Sequence, residues 1–280
     1  MTTMPSDAPP QWAHYTEPAF ADVHGLRTAY RRSGAGPAVV YLHGTVPTRV
    51  WLPLCEHLAQ AHDVVAPEHP GFGDTPLPAA IEGFEDLVLH YDAFFDTLGL
   101  WDIHLVGHDL GGWIAANLAI FYPRRFASLT LITPSGLNTR ARLDVPGTDP
   151  FRLTARERAD ALLNGRADRY SEFFTQEGFP EDVVRSYEEA TTLALLAWHP
   201  RYDRRLDDRL ARVAAPTLVL GAEDDRLVSG AVAERYAELI PGARHVTVRG
   251  AHGEESSHLL PLEHPREVAE LAAEHVARNA

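Results

Sequence analysis

Six residues, Gly107-His108-Asp109-Leu110-Gly111-Gly112, stand where a short apolar run gives way to an apolar helical pattern. Ile103, Leu105 and Val106 read as a buried strand, and Trp113 to Tyr122 as a helix packed beneath it. So tight a strand-to-helix turn has room only for small residues two places before and after its tip. Gly107 and Gly111 are small, which puts Asp109 at the tip. Gly-X-nucleophile-X-Gly is the spacing of a nucleophile elbow, in which the tip residue is strained and projects over the C-terminal edge of a sheet. A carboxylate there sits at a helix N-terminus, whose dipole holds it ionised by on the order of 0.3–1 kcal/mol. The same position favours Asp as a plain N-cap, so the hexapeptide alone leaves cap and nucleophile both open.

As a nucleophile, Asp109 would work differently from serine. Serine must lose a proton to a base before it adds to a carbonyl, whereas a carboxylate is already anionic and can displace a leaving group at saturated carbon. The product would be an alkyl ester on Asp109, to be hydrolysed by an activated water.

The elements around the hexapeptide alternate. Phe20 to Arg32 suits two short strands with a turn at His24-Gly25, and Pro37 to Leu42 is an apolar strand ending in His43-Gly44-Thr45. A helix over Val50 to Gln60, a strand at Asp63 to Ala66 and an amphipathic helix from Phe84 to Leu98 follow. After the elbow come a strand at Ser128 to Thr133, another at Thr217 to Gly221, a helix from Ala231 to Leu239, a strand at His245 to Arg249 and a last helix near Pro265. Such alternation predicts a largely parallel sheet covered by helices on both faces. From Asn138 to about Val213 the sequence is Arg-rich and helical with no strand-like run, which is most economically a helical lid. The expected organisation is a flexible N-terminus at 1–17, a first core part at 18–137, the lid at 138–213 and a second core part at 214–280.

Four segments together resemble the α/β-hydrolase fold family over roughly residues 20 to 278: His43-Gly44, the elbow hexapeptide, Glu223-Asp224-Asp225-Arg226-Leu227-Val228, and His258 through Pro265. Their order of nucleophile, acid and histidine is the one that fold imposes. The resemblance implies an α/β-hydrolase fold with Asp109 as nucleophile and Asp225 as the acid that orients the histidine, Asp224 and Glu223 being the alternatives. It implies His258 as the histidine, seven residues before Pro265, with His252 as the competing choice because it follows Gly250-Ala251 directly. It also implies an oxyanion hole from the backbone N–H groups of Thr45 and Leu110.

Within that family an aspartate at the elbow is similar to epoxide hydrolases and to dehalogenases. Similar dehalogenases hold the halide with a Trp beside the nucleophile and a Trp or Asn after His-Gly; here those places are Leu110 and Thr45. Similar epoxide hydrolases protonate the ring oxygen with lid tyrosines, for which Tyr170, Tyr187 and Tyr202 are the candidates, with Trp198 as a pocket residue. The segments at Pro67 to Gly73, at Pro134-Ser135-Gly136-Leu137 and at Gly112 to Ala116 look closer to serine-dependent C–C bond hydrolases and esterases of the same fold. The expected activity is therefore the opening of an epoxide, or a similar sp3 electrophile, in a small and largely apolar molecule. A C–C hydrolase-like, lyase or cyclase enzyme that moves protons with Asp109 and His258 is the alternative, followed by a dehalogenase or a non-catalytic ligand-binding protein.

Composition narrows the partners. The 280 residues carry a formal net charge of −14 and are 45% hydrophobic. That charge argues against nucleic acid or an anionic membrane, leaving a small-molecule substrate, with a homodimer as one form the chain could take. Cys55 is the only cysteine, which excludes an intrachain disulfide and a cysteine-based metal site, and its apolar surroundings assign it to the core. No metal cluster motif or phosphate-binding glycine loop is present, so no metal and no cofactor are expected. The absence of a basic region followed by an apolar run makes the cytoplasm the expected compartment.

Overall fold

The apolar runs of the sequence become one sheet. The computed structural model describes residues 14–138, 150–174, 180–198, 202–250 and 255–280. Among them, eight strands pair in the order β1-β2-β4-β3-β5-β6-β7-β8. The hairpin β1 (Ala19–Val23) and β2 (Leu26–Ser33) is antiparallel, and β2 lies antiparallel to β4 (Asp63–Pro67). From there β4, β3 (Ala38–Leu42), β5 (Ile103–His108), β6 (Phe126–Ile132), β7 (Thr217–Ala222) and β8 (Arg244–Val248) run parallel. The central strand β5 is buried along its whole length, as strands covered on both faces must be.

Helices cover the two faces and divide the core. On one face α2 (Phe84–Thr97), α3 (Leu110–Phe121) and α7 (Gly230–Leu239) pack through Tyr91, Phe94, Ile114, Leu118 and Tyr236. On the other, α1 (Pro53–Leu58), a short α8 (Leu260–Glu263) and α9 (Pro265–Ala277) pack through Leu54, Cys55, Leu58, Leu260 and Val268. Between β6 and β7 the described residues are helical: α4 (Ala155–Leu162), a 3-10 segment at Ala167–Phe173, α5 (Pro180–Ala197) and α6 (Leu206–Arg209). Residues 139–149, 175–179 and 199–201 of this expected lid lie outside the described residues.

Two local expectations need correction. The helix expected from Val50 is one short α1 that starts at Pro53, because Val50 forms a β-bridge with Tyr15 and Leu52 is extended. The same bridge, with Arg31 Nε donating to the carbonyl of Thr16 at 2.6 Å, ties residues 14–17 to the body where a trailing segment was expected. No helix among the described residues is long and apolar enough to cross a membrane.

Candidate active site

The elbow forms as its glycines require. A Cβ on Gly107 would come within 2.4 Å of the Gly111 carbonyl oxygen, and one on Gly111 within 2.2 Å of the Leu42 carbonyl oxygen. The turn is therefore closed to any larger side chain. Asp109 stands at φ 50° and ψ −114°, outside the ordinary basins for an L-residue, a conformation that costs on the order of 1–3 kcal/mol and is held by surrounding structure. Its own backbone is pinned from both sides, the N–H donating to Ile132 O at 3.1 Å and the carbonyl accepting from Trp113 N and Ser135 N. By position Asp109 is the N-cap of α3, but its side chain makes no capping hydrogen bond.

That side chain instead faces two loops from neighbouring strands. Thr45 N, just past β3, donates to Asp109 Oδ2 at 3.2 Å. His258 Nε2 lies 3.5 Å from Asp109 Oδ1, and its Nδ1 lies 2.7 Å from Asp225 Oδ2. The chain thus brings Asp109, Asp225, His258 and the Thr45 amide together from the ends of β3, β5 and β7 and from the loop after β8. Leu110 opens α3, so its N–H is among those the helix leaves unused at its start.

Each partner is itself held. Asp225 Oδ1 accepts the N–H groups of Leu227 and Val228 at 2.9 and 2.7 Å, a local turn that aims Oδ2 at the histidine. The His258 carbonyl accepts from Thr133 Oγ1 at 2.9 Å and from His108 Nε2 at 3.0 Å. The residues before it are stitched down by Ser256, whose hydroxyl donates to Val248 O, and by Ser257, whose hydroxyl donates to Leu162 O. Arg166 then pairs with Glu255 and Glu263, linking the helical segment after β6 to the same loop. Glu255, Ser256 and Ser257 thus anchor the backbone that carries His258. His252, the competing choice, lies outside the described residues.

The Thr45 loop rests on two neutral imidazoles. His43 Nδ1 donates to Gly44 O at 2.6 Å and its Nε2 accepts from His69 N at 3.0 Å, while His69 Nε2 donates to His43 O at 2.8 Å. Burial pushes His43 down to about 4 and holds His69 well below the ordinary imidazole range, so neither carries charge at neutral pH. The loop also has to approach the elbow closely. A Cβ on Gly44 would meet His108 Nδ1 at 2.6 Å and Asp109 Cβ at 3.0 Å.

Electrostatics at the centre oppose burial. Burial disfavours the ionised form of Asp109, but the His258 imidazolium and the Thr45 N–H outweigh it and hold the carboxyl well below the usual carboxylate range. Burial likewise disfavours a charged His258, yet Asp225 and Asp109 on either side push it up to about 10. His108, buried and repelled by His258, is lowered to about 4. Both shifts favour a charged His258 beside an ionised Asp109.

Beside Thr45 opens a cavity of about 300 Å³. Its floor is the loop from Thr45 to Thr48, and its walls include Phe72, Phe173, Phe174 and Leu193. The wall also carries Arg158 and Glu189 among these apolar residues. Tyr170, Tyr187, Tyr202 and Trp198 are not among the lining residues, and neither are Asp109, Asp225 and His258; the cavity meets the site through Thr45, whose N–H donates to Asp109. Tyr170 is partly buried against the second apolar cluster, Tyr187 on α5 is 71% exposed, and Trp198 stacks edge-on against Phe151 with 56% of its surface exposed. Helical phase explains this: α5 turns Glu189 and Leu193 inward and Tyr187 outward. Thr133, Arg158 and Glu189 were not legible as site residues, since none belongs to a recognisable spacing, and His108 stood within the elbow motif only as a variable position.

The comparisons with known proteins agree with this architecture. The family model for the alpha/beta hydrolase fold matches residues 37–254, and the chain belongs to that family. It is 29% identical over 240 residues to 2-hydroxy-6-oxo-2,4-heptadienoate hydrolase of Pseudomonas putida, covering 81% of this chain and 87% of that protein. A 37% identical stretch of 119 residues matches the dihydrolipoyllysine-residue acetyltransferase component of the acetoin cleaving system of Cupriavidus necator, covering 42% of this chain and only 32% of that protein. Among solved structures, a meta-cleavage product hydrolase from Pseudomonas fluorescens IP01 superposes with a TM-score of 0.75 at 22% identity, over 94% of this chain and 98% of that one. An α/β-hydrolase-fold hydrolase is the class that these similarities support.

Proposed function

We propose that the protein is a hydrolase that opens an epoxide, or a similar electrophile at saturated carbon, through a covalent ester on Asp109. The observation that carries this proposal is the placement of the Asp109 carboxylate: one oxygen accepts the Thr45 N–H and the other lies 3.5 Å from an imidazole backed by Asp225. Attack by a carboxylate oxygen forms the carbon–oxygen bond and releases the leaving oxygen. Esterification removes the Asp109 charge, so His258 loses one of the two anions that keep it protonated. It can then give up its proton and activate water against the ester carbonyl. The tetrahedral oxyanion would develop at the oxygen already facing Thr45 N, with Leu110 N as the second donor.

The electrostatics give this sequence its order: an ionised nucleophile first, and a histidine that turns basic only once the adduct exists. The similarity to 2-hydroxy-6-oxo-2,4-heptadienoate hydrolase favours a second reading, the C–C hydrolase-like one, in which Asp109 takes no adduct and works with His258 in proton transfer. Mass spectrometry of a His258→Gln variant separates the two. Incubated with phenyl- and alkyl-substituted terminal epoxides, the variant is expected to accumulate the mass of one epoxide on the peptide containing Asp109. No adduct with any of these probes would contradict the covalent proposal and leave proton transfer.

A further inference from the structure

None of the three candidate tyrosines lines the cavity that borders the Thr45 loop. Of the two carboxyls on the cavity wall, Asp168 is exposed and paired with Arg156, whereas Glu189 on α5 is partly buried. Its Oε1 accepts the Thr48 hydroxyl at 2.7 Å and the Gly73 N–H at 2.9 Å. No hydrogen bond or ion pair to Oε2 is formed with the described residues. Thr48 lies on the same loop as Thr45, so the bond fixing Glu189 also ties it to the loop whose amide touches the nucleophile.

Resting on the covalent reading above, we propose that Glu189 is the proton donor to the oxygen that leaves carbon when Asp109 attacks. The Asp109 oxygen bonds to carbon, the ring carbon–oxygen bond breaks with its electron pair on oxygen, and the Glu189 proton converts that oxygen to a hydroxyl. Hydrolysis of the ester by water then restores the Asp109 carboxylate, and the proton that water yields balances, through solvent, the one Glu189 has lost. Epoxide and water become a diol with no other reactant.

The surroundings favour a protonated Glu189. Burial raises it above the usual carboxylate range, and the Glu68 charge adds to this. The Gly73 N–H, the Thr48 hydroxyl and Arg185 on its own helix pull the other way but do not outweigh burial. Arg158 faces it from α4 and is itself lowered by burial. Glutamine is a fair replacement, because its amide oxygen can keep both Oε1 hydrogen bonds while its nitrogen has no acidic proton.

The test compares two electrophiles, a terminal epoxide and an alkyl bromide of the same carbon skeleton, by single-turnover formation of the Asp109 adduct. Bromide leaves without a proton. The ratio of epoxide to bromide rates is expected to fall at least about a hundredfold in Glu189→Gln, the usual scale of a general acid. A solvent deuterium effect is expected on the epoxide arm of the parent, retained in Glu189→Asp and lost in Glu189→Gln. An unchanged ratio in Glu189→Gln, or no deuterium effect in the parent, would overturn the assignment while leaving the Asp109 adduct standing. Absence of the adduct with both electrophiles in the parent would remove the covalent reading and the assignment with it.

Discussion

Replacing Asp109 by Asn keeps the shape of the elbow and removes one of the two negative charges facing His258. The parent separation is 3.5 Å between His258 Nε2 and Asp109 Oδ1. At that distance and an effective dielectric near 20, unit charges attract by about 5 kcal/mol. At 1.36 kcal/mol per pH unit this is at most about 3.5 units of His258 titration. The parent imidazole is pushed up to about 10, so in Asp109→Asn it should titrate up to ~3.5 units lower, in the neutral range where a general base works best. The linkage has a definite sign. A histidine raised on folding contributes stability fully present below about 6.5, and that stability is lost as pH rises through about 10. In the Asn variant the same loss occurs at lower pH. Heteronuclear NMR of histidine-labelled protein from pH 5 to 11, with His258→Gln to assign the signal, reads both values. His43 and His108, lowered to about 4, stay out of this window. A variant whose His258 titrates within about one unit of the parent would refute the claim that the nucleophile's charge controls the base.

Three further outcomes follow from the same geometry. Asp225→Asn removes the acceptor at 2.7 Å from His258 Nδ1; ester hydrolysis should slow by about 10²–10⁴ while Asp109 is still alkylated, so stopped-flow with mass detection should show the adduct accumulating. Gly111→Ala would place a Cβ 2.2 Å from the Leu42 carbonyl oxygen and should cost about 1–3 kcal/mol or more, measured by urea unfolding. Tyr170→Phe, Tyr187→Phe and Tyr202→Phe should each leave epoxide turnover within about twofold of the parent, since none of these side chains lines the cavity; a hundredfold loss in any one, the usual scale of a general acid, would return that tyrosine to the mechanism.

The parts legible in the sequence are those fixed by steric necessity or by period. Gly107 and Gly111 announced the elbow because nothing larger fits, and the apolar runs at Ala38–Leu42, Ile103–His108 and Thr217–Ala222 announced parallel strands because both faces are covered. Asp225 could be singled out from Glu223 and Asp224 by the Arg-Leu-Val that follows it, and the structure turns its Oδ1 onto Leu227 N and Val228 N. The cavity wall was not legible. Whether Tyr187 or Glu189 faces inward depends on the phase of α5, and an amphipathic helix that exposes Val183, Val184 and Leu195 does not declare its phase. Thr133 was hidden for another reason: it acts by binding a main-chain carbonyl 125 residues away, a partnership no local pattern records.

The central claim is that an Asp109 oxygen becomes part of the product. A single turnover in oxygen-18 water, followed by mass analysis of the peptide carrying Asp109, tests it directly. The covalent account predicts one heavy oxygen in Asp109 and a product whose new hydroxyl carries light oxygen. A product that takes its new oxygen from the labelled water in that first turnover, with Asp109 unlabelled, would contradict it.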